Sequence, residues 1–576
     1  MSEGERGLPW EAQALEARAP IGHEVLLASA GSGKTYQLVM RYLRLLAMGA
    51  EPSTILATTF TRAAAGEIRD RVIERLALAA SDPRAAEELI SALGLPPRRQ
   101  GRSGGPEAGH DATQRAMELL RRVVAAWPRL RIRTLDSFMA GIAIGFALDL
   151  GVVPGAEVAD EVEAEELVRE ATARLLRRMP AEEAVSLLKE LTAGRSDAGV
   201  HRAIRAVVGA LHGLWRETGS GPWDFHALLP PPQPEAARQA VDELFAHAEA
   251  ARAAKLRQLA TALEKLALRG AAEDWESIAG SAFLQERVKG TQSYYKKPIP
   301  DAVIASALRL DAHASSIVSE GILRQTRGAA DLLRRFDRVL GEVKAERALL
   351  TFDDLPFLLE GAAGLGTLEE IGYHLDGAIH HLLLDEMQDT SAVQWRGLEP
   401  FAAEVWSHRD GSRTFFSVGD LKQSIYGWRG ASPEVLARLP SRIGIAPGSL
   451  ERTRRCGRSV VEAVNAVFEQ IASSAVLAQN YAQAARRFGE YFKSHETTVV
   501  EPSFVEVRQA AAQSEEERPE DPRLAEVCAV VAALHAEAPA ARIGVLVRRN
   551  ATVGRLLAML GHGMGRRGLG LAVAGR

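Results

Sequence analysis

Near one end of this chain, Ala28-Ser29-Ala30-Gly31-Ser32-Gly33-Lys34-Thr35 has the residue types and spacing of a loop that cradles phosphates, with Ala28 in the place of the usual first glycine. Gly31 and Gly33 allow successive backbone N–H groups to turn toward one point, and a helix starting there would aim its positive end at the same point. Lys34 would reach the β and γ phosphates of a bound ATP, and the Thr35 hydroxyl would coordinate Mg²⁺. Much later, His381-Leu-Leu-Leu-Asp-Glu-Met-Gln-Asp389 sets two carboxylates at the end of an apolar run. Asp385 would hold Mg²⁺ directly or through water, and Glu386 would orient and deprotonate an attacking water. An apolar run ending in Asp-Glu is a weak signal alone. Paired with the phosphate loop and followed by Gln-Asp-Thr-Ser, it becomes a strong one.

Such groups need a scaffold that brings distant segments together. Short apolar strand candidates, Glu24–Ala28, Ile55–Thr59, His381–Leu384 and Thr414–Val418, each precede a polar or glycine-bearing turn and then helical periodicity. That pattern predicts an α/β fold, a parallel sheet with crossover helices, whose strand C-termini line a ligand crevice. After the loop, Leu38, Tyr42, Leu45 and Leu46 fall on one helical face.

The expected order is a first ATPase domain in three parts, residues 1–75, 129–153 and 347–449. It is interrupted by a helix-and-loop insertion at 76–128 and a large all-helical one at 154–346. Residues 450–576 are expected to form part of a second α/β domain, with a strand at Ile543–Val547. The stretch from Leu95 to Ala112 reads as a mobile loop from its Pro, Gly and Arg content, and Ala164, Leu167, Val168, Ala171 and Leu175 read as the core stripe of a helix.

The length of 576 residues exceeds one ordinary core, and 47% hydrophobic with 25% charged residues is the balance of a soluble globular protein. A net charge of −4 means that any nucleic-acid surface must be local. The two cysteines have no zinc, iron–sulfur or disulfide-framework spacing, which suits a cytoplasmic protein. The first twenty residues carry no apolar signal core, and no run is long enough to span a membrane.

Four segments occur in a telling order: LLASAGSGKT, TTFTRAAAGEIRDR, LLLDEMQDTSAVQW and SVGDLKQSIYGWRGA. They resemble motifs I, Ia, II and III of superfamily-one DNA helicases of the UvrD/PcrA and RecB/AddA group, a likeness extending from about residue 8 to 560. The resemblance implies an ATP-driven 3′-to-5′ motor on single-stranded DNA, or on duplex with a single-strand tail, acting in DNA repair or recombination. The partner it implies is a nuclease or second motor subunit. Carried over by position, Gln13 would read adenine and Gln423 would sense the γ-phosphate. Phe60, Thr61, Arg62, Ser137, Phe138, Tyr426, Trp428 and Arg429 would touch DNA, combining stacking surfaces with polar donors. Asp136 stands where this family usually has histidine. Leu450-Glu-Arg-Thr-Arg-Arg-Cys456 aligns imperfectly with the family's second-domain motif and would make Arg455 the arginine finger. The basic, aromatic stretch from Lys289 to Lys297 reads equally as a DNA contact or a solvated loop. Two later family motifs have no counterpart here, so the sequence is expected to be a fragment, a truncated product or half of a split motor. The competing reading is an ATP- and DNA-binding module without unwinding activity of its own.

Overall fold

The computed structural model describes residues 21–94, 106–192, 200–224, 229–288, 290–295, 297–362, 378–427, 430–510 and 521–563. The chain divides into two compact units, Met1–Arg452 and Thr453–Arg576.

The first unit is built on six strands: β1 (Glu24–Ala28), β2 (Ile55–Thr59), β3 (Arg131–Thr134), β4 (His381–Leu384), β5 (Thr414–Gly419) and β6 (Gly448–Leu450). They lie in the order β6-β1-β5-β4-β2-β3, and every neighbouring pair is parallel. Parallel strands covered on both faces must be apolar on both, which is why His-Leu-Leu-Leu and Thr-Phe-Phe-Ser-Val-Gly are buried along their whole lengths. Alternate strand residues feed opposite layers. Leu26, Ala57, Leu383 and Phe416 pack against α1 (Lys34–Ala47) and α2 (Arg62–Ser81), through Leu38, Tyr42, Leu46, Ile68, Val72 and Leu76. The helix α3 (Pro106–Ala125) adds to that layer through Ala112, Ala116, Leu119 and Val123. Val25, Leu56, Leu382 and Phe415 pack on the other side against α4 (Leu135–Gly145), α6 (Ala392–Ser407) and α7 (Pro433–Ile443).

His381 opens β4 as a buried ring whose Nδ1 lies 3.0 Å from Thr414 Oγ1. Burial above all, then His380 and Arg41 nearby, pushes its pKa down to about 3. The unfolded chain therefore takes up this proton first as the pH falls below about 6.5, and stability is lost between that value and the folded pKa. The expected result is that the stability gap between wild type and His381→Asn shrinks by up to about 1.4 kcal/mol per pH unit below pH 6.5. Denaturant titrations at several pH values measure this difference, in which the other titrating groups cancel; a pH-independent gap contradicts it.

Between β3 and β4 the chain leaves the sheet for a helical region. Its spine is α5 (Asp301–Arg347), a 47-residue helix of about 70 Å at 1.5 Å per residue. Val303, Ala307, Leu310 and Ala314 near its start join one apolar cluster, and Leu332, Phe336, Val339 and Val343 near its end join another. The helix Glu161–Arg178 enters the second cluster through Leu167, Ala171 and Leu175. In the basic stretch, Ser293–Tyr294 and Lys297–Pro298 form a small antiparallel hairpin with Tyr295 exposed, while residues 289 and 296 lie outside the described residues.

Two expectations change. The stretch read as a mobile loop is helical from Pro106 onward, because its Glu-Ala and Asp-Ala-Thr portion continues the apolar spacing of α3; residues 95–105 lie outside the described residues. Ile543–Val547 forms no strand and belongs to no sheet among the described residues, since an apolar run specifies a strand only where a neighbour supplies the ladder. The second unit is described by helices Arg458–Phe468, Ala475–Tyr491, Pro522–Glu537 and Asn550–Gly563. No helix among the described residues is long and apolar enough to cross a membrane.

Candidate nucleotide site

The loop between β1 and α1 is bent by two glycines in the left-handed region, Gly31 at φ 70° and Gly33 at φ 96°. Gly33 brings no capping side chain to α1, and the first turn of that helix has no acidic residue. The helix end therefore keeps its positive character for an external anion. Ser29 roots the loop: its N–H donates to Leu450 O at 2.9 Å, and its carbonyl accepts from the Ser32 N–H at 3.2 Å and Ser32 Oγ at 2.7 Å. Ala28 closes β1, and Ala30 is exposed at the bend. Thr35 sits half-buried in the first turn of α1, directly after Lys34.

Lys34 is 9% exposed, and its Nζ donates to Glu386 Oε2 at 2.7 Å and to Gln423 Oε1 at 3.4 Å. The segments carrying Glu386 and Gln423, 352 and 389 positions from Lys34, thus meet it at one ammonium group. Asp385 continues the β4 ladder, its N–H donating to Thr58 O at 2.9 Å. The chain then turns sharply: Glu386 has φ 51° and ψ 40°, a conformation that costs a non-glycine residue about 1–3 kcal/mol. This bend leaves the Glu386 carboxylate part-exposed beside the phosphate loop while Asp385 stays buried.

Burial, then the neighbouring Glu386 charge, pushes the Asp385 carboxyl up to about 7, against the opposing pull of Lys34. The same two causes push Asp389 up to about 6. One lysine does not balance these carboxylates, and Asp389 Oδ1 is buried without a hydrogen-bond partner. This is the electrostatic setting in which a divalent cation is favourable. Among the described residues no group of three or more His, Cys, Asp and Glu side chains could hold a metal ion. Mg²⁺ would therefore need phosphate oxygens and water to complete a shell begun by Thr35 and Asp385, the donor set such a hard cation accepts.

Sequence reasoning passed over three residues that tie these parts together. Gln388 Nε2 donates to Glu386 Oε2 at 2.7 Å, while its Oε1 accepts from the Asp420 N–H at 2.9 Å. Lys422 Nζ lies 2.9 Å from Asp420 Oδ1 and 3.4 Å from Ser29 Oγ. The signal available was polarity: Gln388 and Asp420 sit among residues that otherwise complete a fully buried sheet. Gly419 leaves room for them: an added Cβ would stand 2.5 Å from Gln388 Oε1 and 2.6 Å from Leu436 Cδ2, so both side chains would have to shift.

A small cleft lined by Phe60, Leu135, Asp136, Asp385, Met387 and Gln394 runs along the strand ends beside this site. The Phe60 ring stacks on Tyr426, with centroids 4.8 Å apart and 25° between planes. Thr61 caps α2 by accepting from Ala64 N–H at 3.1 Å, which leaves Arg62 exposed at the helix start. Thr134 caps α4, accepting from Ser137 N–H at 3.1 Å, with its Oγ1 2.7 Å from Ser137 Oγ. Asp136 accepts from Gln394 Nε2 at 3.0 Å, so the unexpected charge is used to join α4 to α6. Phe138 does not stand where a DNA contact was expected. It is 3% exposed in the apolar layer under the sheet, since α4 turns that position inward. Gln13, Trp428 and Arg429 lie outside the described residues. Arg455 belongs to the second unit, where it is exposed and its N–H donates to Thr453 Oγ1 at 3.3 Å.

This arrangement can bind a triphosphate and activate water next to it, and comparison with known proteins bears on that chemistry. The family model described as the UvrD/REP helicase N-terminal domain matches residues 10–443. Similar curated proteins are each named as one subunit of an ATP-dependent helicase/nuclease. The one from Pelotomaculum thermopropionicum is 26% identical over 81% of this chain and 39% of its own length. That from Oceanobacillus iheyensis is 26% identical over 80% of this chain and 39% of its own length. That from Geobacillus kaustophilus is 24% identical over 89% of this chain and 44% of its own length. The chain thus spans well under half the length of these relatives.

Proposed function

The chain belongs to the UvrD/REP helicase family, and from that premise we propose that it is the ATP-hydrolysing part of a DNA helicase that moves 3′ to 5′ on single-stranded DNA, in repair or recombination. The observation that carries the reading is the convergence on Lys34 Nζ of Glu386 Oε2 at 2.7 Å and Gln423 Oε1 at 3.4 Å, at a glycine-bent helix N-terminus. Residues 1–75, 129–153 and 347–449 are assigned to the first RecA-like domain, 76–128 and 154–346 to insertions, and 450–576 to part of a second.

In this mechanism the N–H groups of Gly31, Gly33, Lys34 and Thr35 and the Lys34 ammonium hold the β and γ phosphates, while the Ser29 and Ser32 N–H groups brace the loop itself. The Glu386 carboxylate accepts a proton from a water whose oxygen attacks the γ-phosphorus, the bond from that phosphorus to the bridging oxygen breaks, and ADP departs with the electron pair. Mg²⁺, held by Thr35 and Asp385, would neutralise phosphate charge as it shifts. Gln423 reads the γ-phosphate and passes its presence along the segment to Tyr426, while Phe60, Thr61, Arg62 and Ser137 face the DNA. Gln13, Trp428, Arg429 and Arg455 retain the roles the family resemblance gives them: adenine reading, DNA contact for the middle two, and arginine finger. The names of the relatives, each one subunit of a helicase/nuclease, support a partner subunit that shares in nuclease work; a cytoplasmic site of action belongs to the same proposal.

The deciding experiment measures ATP hydrolysis by the purified chain with and without single-stranded DNA, then strand separation on duplexes with 3′ or 5′ tails. DNA-stimulated hydrolysis and opening of the 3′-tailed duplex alone are expected. Stimulated hydrolysis without opening would favour the binding-module reading, and the absence of nucleotide binding would overturn both. Phe60→Ala or Tyr426→Ala is expected to weaken single-strand affinity by about 1–3 kcal/mol per lost stacking platform. Fluorescence anisotropy checks this, and unchanged affinity in both variants would place the stacked pair off the DNA path.

A further inference from the structure

We propose that Lys422 is a positioning residue that fastens the Ser29 root of the phosphate loop to the segment carrying Gln423, so that loop and segment respond to a γ-phosphate as one body. The inference rests on the ATP-hydrolysing reading above and adds a residue that this reading does not use.

The contacts form a closed ring. From Lys34 Nζ one arm runs to Glu386 Oε2 at 2.7 Å, on through Gln388 Nε2 at 2.7 Å, and from Gln388 Oε1 to the Asp420 N–H at 2.9 Å. From Asp420 Oδ1 the other arm runs to Lys422 Nζ at 2.9 Å and from there to Ser29 Oγ at 3.4 Å, back in the phosphate loop. The loop is therefore gripped at both ends by the segments that follow β4 and β5.

Asp420 is the hub. It is 1% exposed, its Oδ1 also accepts the Lys422 N–H at 3.1 Å, and its carbonyl accepts the Gln423 N–H at 2.9 Å. Its Oδ2 is buried without a hydrogen-bond partner. A buried carboxylate so placed is costly unless a cation compensates it, so Lys422 is held to Asp420 rather than free to wander in solvent. The Lys422 ammonium can still serve Ser29 because it carries three donors. Ser29 in turn is anchored to Leu450 O and Ser32, so the far end of the tie is rigid too. A shift of Gln423 must then disturb either Asp420 or the loop. Because the same segment continues to Tyr426 and its stack on Phe60, the coupling is read at the DNA.

The test uses the whole chain, with ATP, ADP and an oligothymidine strand as probes. Lys422→Met is expected to lose about tenfold or more of the DNA stimulation of ATP hydrolysis, within the range of ordinary site-to-site coupling, while ADP affinity changes less than about threefold. Lys422→Arg, which keeps the charge, is expected to recover most of that loss. Ser29→Ala should lower stimulation more than it lowers ADP affinity, and adding Lys422→Met to it should bring little further loss, since both break one contact. Wild-type stimulation in Lys422→Met overturns the inference. So does a loss of ADP binding, basal turnover and stimulation in equal proportion, or additive effects of the two substitutions. Should Lys422→Met not fold, unchanged stimulation in Ser29→Ala overturns it from the other end. A wild type that hydrolyses no ATP overturns the parent reading and this inference together, whereas normal wild-type turnover with an indifferent Lys422→Met overturns only this one.

Discussion

Lys34→Ala is expected to reduce ATP turnover by about a thousandfold or more, the scale of losing a principal charge contact in phosphoryl transfer. The reason is positional. Lys34 stands in the first turn of α1, where helix dipole and loop N–H groups already favour an anion, and it is the cation that Glu386 and Gln423 both touch. Alanine keeps the helix, so the fold should survive and far-ultraviolet circular dichroism should match wild type. What disappears is the charge that holds the outer phosphates and opposes the upward push on Asp385 and Asp389. Steady-state hydrolysis and nucleotide titration measure the effect, and turnover within tenfold of wild type would remove the phosphate loop from the chemistry.

Glu386→Gln should separate binding from turnover. The amide is nearly isosteric, fits the same turn and can still accept the Lys34 and Gln388 hydrogen bonds through its oxygen. It cannot take a proton from water at neutral pH. Turnover should fall by about a hundredfold to ten-thousandfold, the usual contribution of a positioned base, while ATP affinity is kept or improved. Equal losses in affinity and turnover would mean that Glu386 shapes the pocket instead of acting as the base.

Much of this design was legible in the letters, and the reasons for the gaps are physical. The cores of four strands were visible because parallel strands buried on both sides must be continuously apolar, as Leu382–Leu384 and Phe415–Phe416 are. Arg131–Thr134 alternates charge with apolar residues, and Gly448–Leu450 is only three residues long, so neither edge strand announced itself. The loop and the acidic pair were readable because phosphate and metal chemistry leaves little choice of residue. Gln388, Asp420 and Lys422 were not, since a relay between two loops has no spacing rule, only a geometry. Phe138 shows the converse error: a residue inside a motif can serve the core beneath it. Ile543–Val547 shows that an apolar run proposes a strand without naming its neighbour.

The long helix α5 carries one more implication. Its ends are embedded in separate apolar clusters, but between Ile317 and Arg327 it buries no side chain fully. That stretch works like the boom of a crane, with Gly321 near its centre and no fully buried side chain to brace it. The cluster around Val303 to Ala314 and the cluster around Leu332 to Val343 are therefore joined along α5 by a span that has no core of its own. Along that helix, the spacing between the two cores rests on the stiffness of about three helical turns.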